Sequence, residues 1–573
     1  MTPVGRYLLL DGSVDIERLA SCVRPHWQGV LCLCWIAPET ANHLADLTQA
    51  PVSSLKDIPG GIERVQLETC ALVDQVCQGG PKYRGLAWTE YIREPLYREL
   101  EQASVVAWAL DFLLSLTSRD ERLEVQYVLS PGNLSVLRHL LEYRQETHVD
   151  LVPLSSECFS SVAPGERPPL PSRMGRHLRQ VMLTGKWRIQ AWNAAEKLDP
   201  AVLIRRRIWP GTRKTPRGGV TFFSSYLNNT RILLSHEACF VGKPIDWVVT
   251  THYAMEAARE AGRKPRWLWE WRGPEPVAFD VSAQPVSSEK DHGLLSWASQ
   301  TSTFDNWQNN WHRSLATLTS CWEGYLDEAA PSMLVVASQW GIEGWLARLA
   351  SLRGIHTVQL LHGVVAGPFF SRSAVETDEL WVPGPFWKTL WTASQRSKIK
   401  VVRPEGYFRA VPRNSGTHRL TYFSWPLQAT PILNASELND AFAKILTRLA
   451  KAGNKVFVHA HPLENPTDLM RRWKKVTRQI PDTISFGKHR QTAALLAETD
   501  VALMFRSTVM LDCMASGIPV VIPGWIDMGM GEHLANTPGV HCAENFEDLE
   551  RTLVRWLEQP PEIPDIVRQR FVV

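Results

Sequence analysis

The stretch ALLAETDVALMFRSTVMLDCMASGIPVVIPG, from Ala494 to Gly524, restricts the fold more than any other part of the chain. Its pattern predicts a helix, a buried strand from Asp500 to Met504, a polar bend at Arg506, Ser507 and Thr508, a second helix, and a further strand from Ile518 to Ile522. Strands that alternate with helices in this way belong to an α/β protein. The bend lies at the carboxyl end of a strand and opens a helix, where unpaired backbone N–H groups and the helix dipole favour an anion. A plain helix cap at Ser507 is the competing reading, and the neighbouring motifs favour a phosphate seat.

At 573 residues the chain has the length of about three domains, with 44% hydrophobic residues to build their cores. A net charge of +3 gives the whole molecule no strong pull toward nucleic acid, so none is expected as a partner. The opening MTPVGRYLLLDG reads as a first strand, because it lacks the long apolar region and cleavage site of a secretory leader. Runs such as VLCLCWIA are too short to span a bilayer. The ten cysteines show no CxxC spacing, and Cys32, Cys34 and Cys513 stand in apolar context. Reduced core thiols in a cytoplasmic protein, with neither a metal site nor a cofactor, are therefore expected. Most of the 24 tryptophans belong in cores, and a fraction on the surface suits a sugar or membrane interface.

Residues 1–160 alternate apolar runs with amphipathic helical patterns, including a long helical stretch from Tyr91 to Leu116, and predict an N-terminal α/β accessory domain. Asp11 and Glu90 are isolated acids there, of the kind more often solvated or capping than functional. Residues 161–217 gather Pro164, Pro168, Pro169 and Pro171 with many Arg and Lys, and with Trp187 and Trp192. This basic segment reads equally as a surface for anionic lipid and as a solvated linker helix. A new α/β unit opens at GGVTFFSSYLNN and runs over 218–412; the last unit, 413–573, carries LTYFSWPL, a helix from Leu438 to Ala452, KVFVHAHP and the phosphate-seat region.

KVFVHAHPLEN places His459 and His461 on one face of a strand that Pro462 ends, leaving His461 at its carboxyl tip. An imidazole there can donate to a phosphate or protonate a departing one. With Arg506, Ser507 and Thr508 on a later tip of the same sheet, several donors converge where a phosphate would lie. Asp512 follows Thr508 by one helical turn and can reach toward a ribose hydroxyl. In the preceding unit His362 and Gly363 stand at one strand end, and Gln339 to Glu343 follow the strand Met333–Ala337. His362 or Glu343 is expected to serve as base or acceptor clamp across a cleft.

QLLHG, HAHP and STVMLDCMASGIPVV, in this order, resemble the bacterial GT-B glycosyltransferases of surface-polysaccharide biosynthesis, a group that includes capsule Kdo transferases, His-Pro sialyltransferases and CDP-glycerol polymerases. GGVTFFSSYLNN with SQWGIEGW is similar to the same group, and the likeness covers roughly residues 218 to 545. It implies an α/β fold with a GT-B-like pair of Rossmann-like lobes, the N-lobe on the acceptor side and the C-lobe binding the nucleotide-sugar. His461 and the Ser507–Thr508 pair would hold the nucleotide phosphate, and Asp512 would approach the ribose. The implied activity is metal-independent transfer of a sugar, such as Kdo from a CMP donor, to a surface polysaccharide or lipid-linked glycan, in the cytoplasm or peripherally on the inner membrane. The acidic Asp/Glu-Asp/Glu-Gly motif of the sialyltransferases is absent from the corresponding place. No GxGxxG signature supports a nicotinamide enzyme. The alternatives are a CDP-glycerol-type phosphotransferase, a UDP-sugar epimerase on the same lobes, and a non-catalytic scaffold of a polysaccharide assembly complex.

Overall fold

The structure is a computed structural model. It describes residues 4–11, 19, 27–34, 36, 38–54, 57, 61–79, 82–84, 86–87, 93–116, 122–154, 217–271, 273, 293–298, 301, 312–361, 376–391, 394–402, 419–425, 435–461, 464–488, 492–505, 507, 509–526, 534 and 536–571. Glu90 and the basic segment, apart from Arg217, lie outside the described residues.

The first unit contains strands β1 (Val4–Leu10), β2 (Gly29–Cys32) and β3 (Val52–Ser54), a short antiparallel hairpin of β4 (Lys82–Tyr83) and β5 (Leu86–Ala87), then β6 (Arg122–Val128) and β7 (Val149–Pro153). Its five-stranded sheet is parallel throughout and ordered β3-β2-β1-β6-β7. The second unit contributes β8 (Val220–Ser224), β9 (Ile245–Val249), β10 (Arg266–Trp267), β11 (Met333–Val336), β12 (His356–Leu360), β13 (Glu379–Val382) and β14 (Ile399–Val401). They form a seven-stranded parallel sheet ordered β10-β9-β8-β11-β12-β13-β14. The third unit has β15 (Arg419–Phe423), β16 (Lys455–His459), β17 (Ile484–Gly487), β18 (Val501–Met504), β19 (Val520–Pro523) and β20 (Val540–Ala543), ordered β17-β16-β15-β18-β19-β20.

Each sheet thus starts on an inner strand, winds outward one way, and then crosses to the other side of its first strand. That is the doubly wound Rossmann order, and it puts a topological switch point between β1 and β6, between β8 and β11, and between β15 and β18. The α/β fold with a pair of Rossmann-like lobes is present in the second and third units. The N-terminal unit shares their winding. Residues of β8, β18 and β19 are buried on both faces, which explains why these strands read as unbroken apolar runs.

Strand ends differ slightly from the sequence expectation. Asp500 stays outside β18 because its carboxylate accepts the Arg419 N–H (2.9 Å) at the amino end of β15. The β19 strand begins at Val520, because Gly517, at φ 70°, turns the chain out of the preceding helix.

The units are packed together. Helix Leu294–Ala298 lies against the first unit, with Trp297 5.5 Å from the His139 ring. Arg84, in the β4–β5 turn, pairs with the buried Glu323 (3.1 Å), which also holds Arg353 (2.7 Å). The last helix, Asp565–Phe571, joins the second and third units. Phe571 is fully buried 4.6 Å from the Phe386 ring, and its carbonyl accepts from Trp387 Nε1 (3.1 Å). The same helix packs on Val509–Ala515, so the carboxyl edge of β13 and the helix after Ser507 share one support.

Gly384 marks the tightest point of this junction, since a Cβ there would lie 2.3 Å from the Phe571 carbonyl oxygen. Gly384→Ala is expected to push the terminal helix away and to destabilise the protein by about 1–3 kcal/mol. An unchanged denaturant midpoint would contradict that packing.

Candidate functional site

Open α/β sheets place ligands outside the carboxyl ends of their strands at the switch point. Two of the three switch points are filled from within. After β1, Asp11 is buried and accepts from the Ser130 N–H (2.6 Å) and Asn133 Nδ2 (2.7 Å) just beyond β6. Asp11 therefore joins strand tips, consistent with the capping role expected for an isolated acid.

The second switch point is filled by Glu343, on helix Gly341–Leu352. Its carboxylate is fully buried. Oε1 accepts from the Ser225 N–H (2.8 Å), the Ser225 hydroxyl (2.9 Å) and Asn229 Nδ2 (2.8 Å), and Oε2 accepts from the Ala337 N–H (3.2 Å). Burial raises its pKa, and those donors work in the opposite direction. The expectation that Glu343 serves as base or acceptor clamp is corrected on this geometry. Both oxygens are committed to protein donors with no surface facing solvent, and the side chain anchors the tips of β8 and β11.

The third switch point is built differently. Pairing sets Phe423 opposite His459 on one side and opposite Met504 on the other, so the residues that follow these strands emerge level with one another. Trp425, half-buried beyond β15, lies between the two flanks, 5.5 Å from the His461 ring and 5.9 Å from the Phe505 ring. His461 is half-buried beyond β16, and Ser507 is half-buried beyond β18. The Ser507 hydroxyl accepts from the Val509 N–H (3.3 Å) and so caps the helix Val509–Ala515. A hydroxyl that accepts one bond still carries a proton to donate.

The electrostatics suit an anion. Burial, and then the charges of Lys488 and His459, push the His461 imidazole down to about 4, so it is neutral at neutral pH and carries one N–H donor. Lys488 follows β17, which brings a cation to the same edge as His461. Asp512 keeps part of its surface open, yet desolvation of its carboxyl raises it to about 7. Near neutrality it is in part an uncharged acid that can donate a hydrogen bond.

Of the sequence-predicted residues, His461 and Ser507 follow the two strands that flank β15, and Asp512 lies on the helix that Ser507 caps. Pro462, Arg506, Thr508, His362 and Gly363 lie outside the described residues. Sequence reasoning missed Trp425, Glu464 and Lys488. The first two were within reach, since SWPL continues directly from a strand and Glu464 follows the His-Pro pair; Lys488 carried no local signal.

No family model matches the chain, and no curated protein matches it in sequence. Similar solved structures include UDP-GlcNAc 2-epimerase from Neisseria meningitidis bound to UDP-GlcNAc, at 11% identity and a TM-score of 0.39, covering 62% of this chain and 94% of that one. MurG of Acinetobacter baumannii is similar at 10% identity and a TM-score of 0.38, covering 62% of this chain and 94% of that one. CalG4, the calicheamicin glycosyltransferase, is similar at 16% identity and a TM-score of 0.38, with 62% and 92% covered.

The raised Asp512 group makes a pH prediction. Folding tightens its hold on the proton, so the stability it contributes is full below the ordinary carboxylate value of 3.8 and is lost as pH rises through about 7. Asp512→Asn, neutral at every pH and similar in size, is expected to flatten that fall when unfolding is followed across the window. Parallel stability profiles for the two proteins would show that the carboxyl is not desolvated.

Proposed function

We propose that the chain is a nucleotide-sugar-dependent glycosyltransferase whose third sheet holds the donor. The observation that carries this reading is the arrangement around β15, with Trp425 between His461 on one flank and the loop leading to Ser507 on the other. An imidazole N–H, a hydroxyl and the nearby Lys488 charge are donors fixed before the ligand arrives, and such groups stabilise the charge that develops on a departing phosphate. As a phosphate approaches, its negative charge favours the protonated imidazole, so His461 is suited to take up a proton on binding. Pro462, Arg506, Thr508 and Asp512 complete the donor site in this reading, with Asp512 toward the ribose.

In the transfer step an acceptor hydroxyl attacks the anomeric carbon, the bond from that carbon to the phosphate oxygen breaks, and the nucleotide leaves with the electron pair. The hydroxyl proton passes to a base. With Glu343 locked between strand tips, His362 is the residue assigned to that role, and Gly363 allows close approach beside it. The His-Pro pair inclines the donor toward a CMP-activated acid sugar such as Kdo, and the acceptor toward a bacterial surface polysaccharide or lipid-linked glycan. The basic segment 161–217 then rests on the inner membrane. Among the described residues no helix is long and apolar enough to cross a membrane.

A thermal-shift panel of CMP, CDP, UDP and GDP tests the reading. A nucleotide that binds only the folded protein raises the melting temperature by mass action. At least one of the four is expected to do so, and His461→Ala is expected to shrink the rise markedly, with binding weakened but still measurable, while leaving the unliganded melting temperature close to that of the parent. If no nucleotide shifts the transition, the transferase assignment falls and the scaffold reading stands.

A further inference from the structure

We propose that Glu464 is a positioning residue which, through the Ser424 hydroxyl, fixes the loop that presents His461. The inference rests on the donor-site reading for its consequence, but its geometry is independent of that reading.

Glu464 and Ser424 are both buried at the carboxyl edge of the third sheet, although each belongs to a different strand connection. The Ser424 hydroxyl donates to Glu464 Oε2. The His461 N–H is directed at both acceptors, 3.0 Å from Ser424 Oγ and 3.4 Å from Glu464 Oε2. Two further bonds close the loop: the Ser424 N–H donates to the His459 carbonyl (2.9 Å), and the Glu464 N–H donates to the His461 carbonyl (2.8 Å). The second carboxylate oxygen faces Arg472 at 3.5 Å, on helix Pro466–Thr477, which offsets the cost of burying the charge.

The backbone of His461 is thus held on its N–H by the Ser424 hydroxyl and the Glu464 carboxylate, and on its carbonyl by the Glu464 N–H. Trp425 follows Ser424 directly, so the same clamp sets where the indole stands beside the imidazole. In the other two sheets the buried acid bridges the switch point itself, through Asp11 and Glu343. Here the carboxylate works on the opposite flank of β15, between β15 and β16, and the tips of β15 and β18 meet through the Trp425 and Phe505 rings. The acid holds a donor in place beside the switch point without filling it.

The test is a double-mutant cycle on nucleotide affinity, measured by calorimetry on the full chain with whichever nucleotide raises the melting temperature. Glu464→Gln is expected to weaken binding about tenfold, the effect of one misdirected hydrogen bond. In the His461→Ala background the same change is expected to cost nothing further, because its effect travels through His461. An equal loss in both backgrounds, or no loss in the parent, overturns the proposal.

A second readout separates this failure from failure of the nucleotide reading. The His461 imidazole, followed by NMR in selectively labelled protein, is expected to titrate higher in Glu464→Gln than in the parent as the loop loosens toward water. An unmoved titration overturns the proposal whether or not any nucleotide binds. Ser424→Ala, which removes only the hydroxyl, is expected to give the same changes at smaller amplitude and serves if Glu464→Gln does not fold.

Discussion

Parallel strands that end together leave backbone N–H groups at the sheet edge, and a buried N–H without a partner is costly. This protein meets that constraint with buried carboxylates. Asp11, Glu343 and Glu464 each accept backbone and side-chain donors at the carboxyl edge of a different sheet. Where the acid bridges the first and fourth strands, as in the first two sheets, the crevice between them is occupied. In the third sheet it sits to one side, between β15 and β16, and the tips of β15 and β18 meet through the Trp425 and Phe505 rings.

The same packing sets the charge states around the site. Burial lowers the His461 imidazole to about 4 and raises the Asp512 carboxyl to about 7. Opposite shifts led by burial, with the charges of Lys488 and His459 added on the imidazole, describe an edge that resists charge of either sign until a partner arrives. An anionic phosphate is a partner of that kind for an imidazole beside a lysine. The terminal helix Asp565–Phe571 ties this edge to the second unit through Phe571, Phe386 and Trp387, so the edge with the donors and the carboxyl end of β13 share a rigid boundary.

Much of the fold was legible because buried parallel strands leave an unmistakable trace. VTFFS, VALM and VVIP are apolar without alternation, as strands covered on both faces must be. The placement of His461 and Ser507 at strand tips followed from Pro462 and from the polar break after Met504. Glu343 was misread because an acid after a strand looks the same in sequence whether it faces solvent or closes the sheet. What decides is its partners, and Ser225 and Asn229 lie 118 and 114 residues away. The winding of the first unit was equally hidden, since strand order depends on pairings between residues as distant as Val4 and Arg122. Lys488 acquires meaning only when β15, β16 and β17 lie side by side.

The central claim is that the strand tips of the third sheet grip the phosphate of a nucleotide. A crystal structure of the protein grown with a bound nucleotide tests it most directly. The account predicts a phosphate oxygen within hydrogen-bond reach of the His461 imidazole and the Ser507 hydroxyl. A nucleotide seated away from both, for example over the β8 and β11 tips, would contradict it.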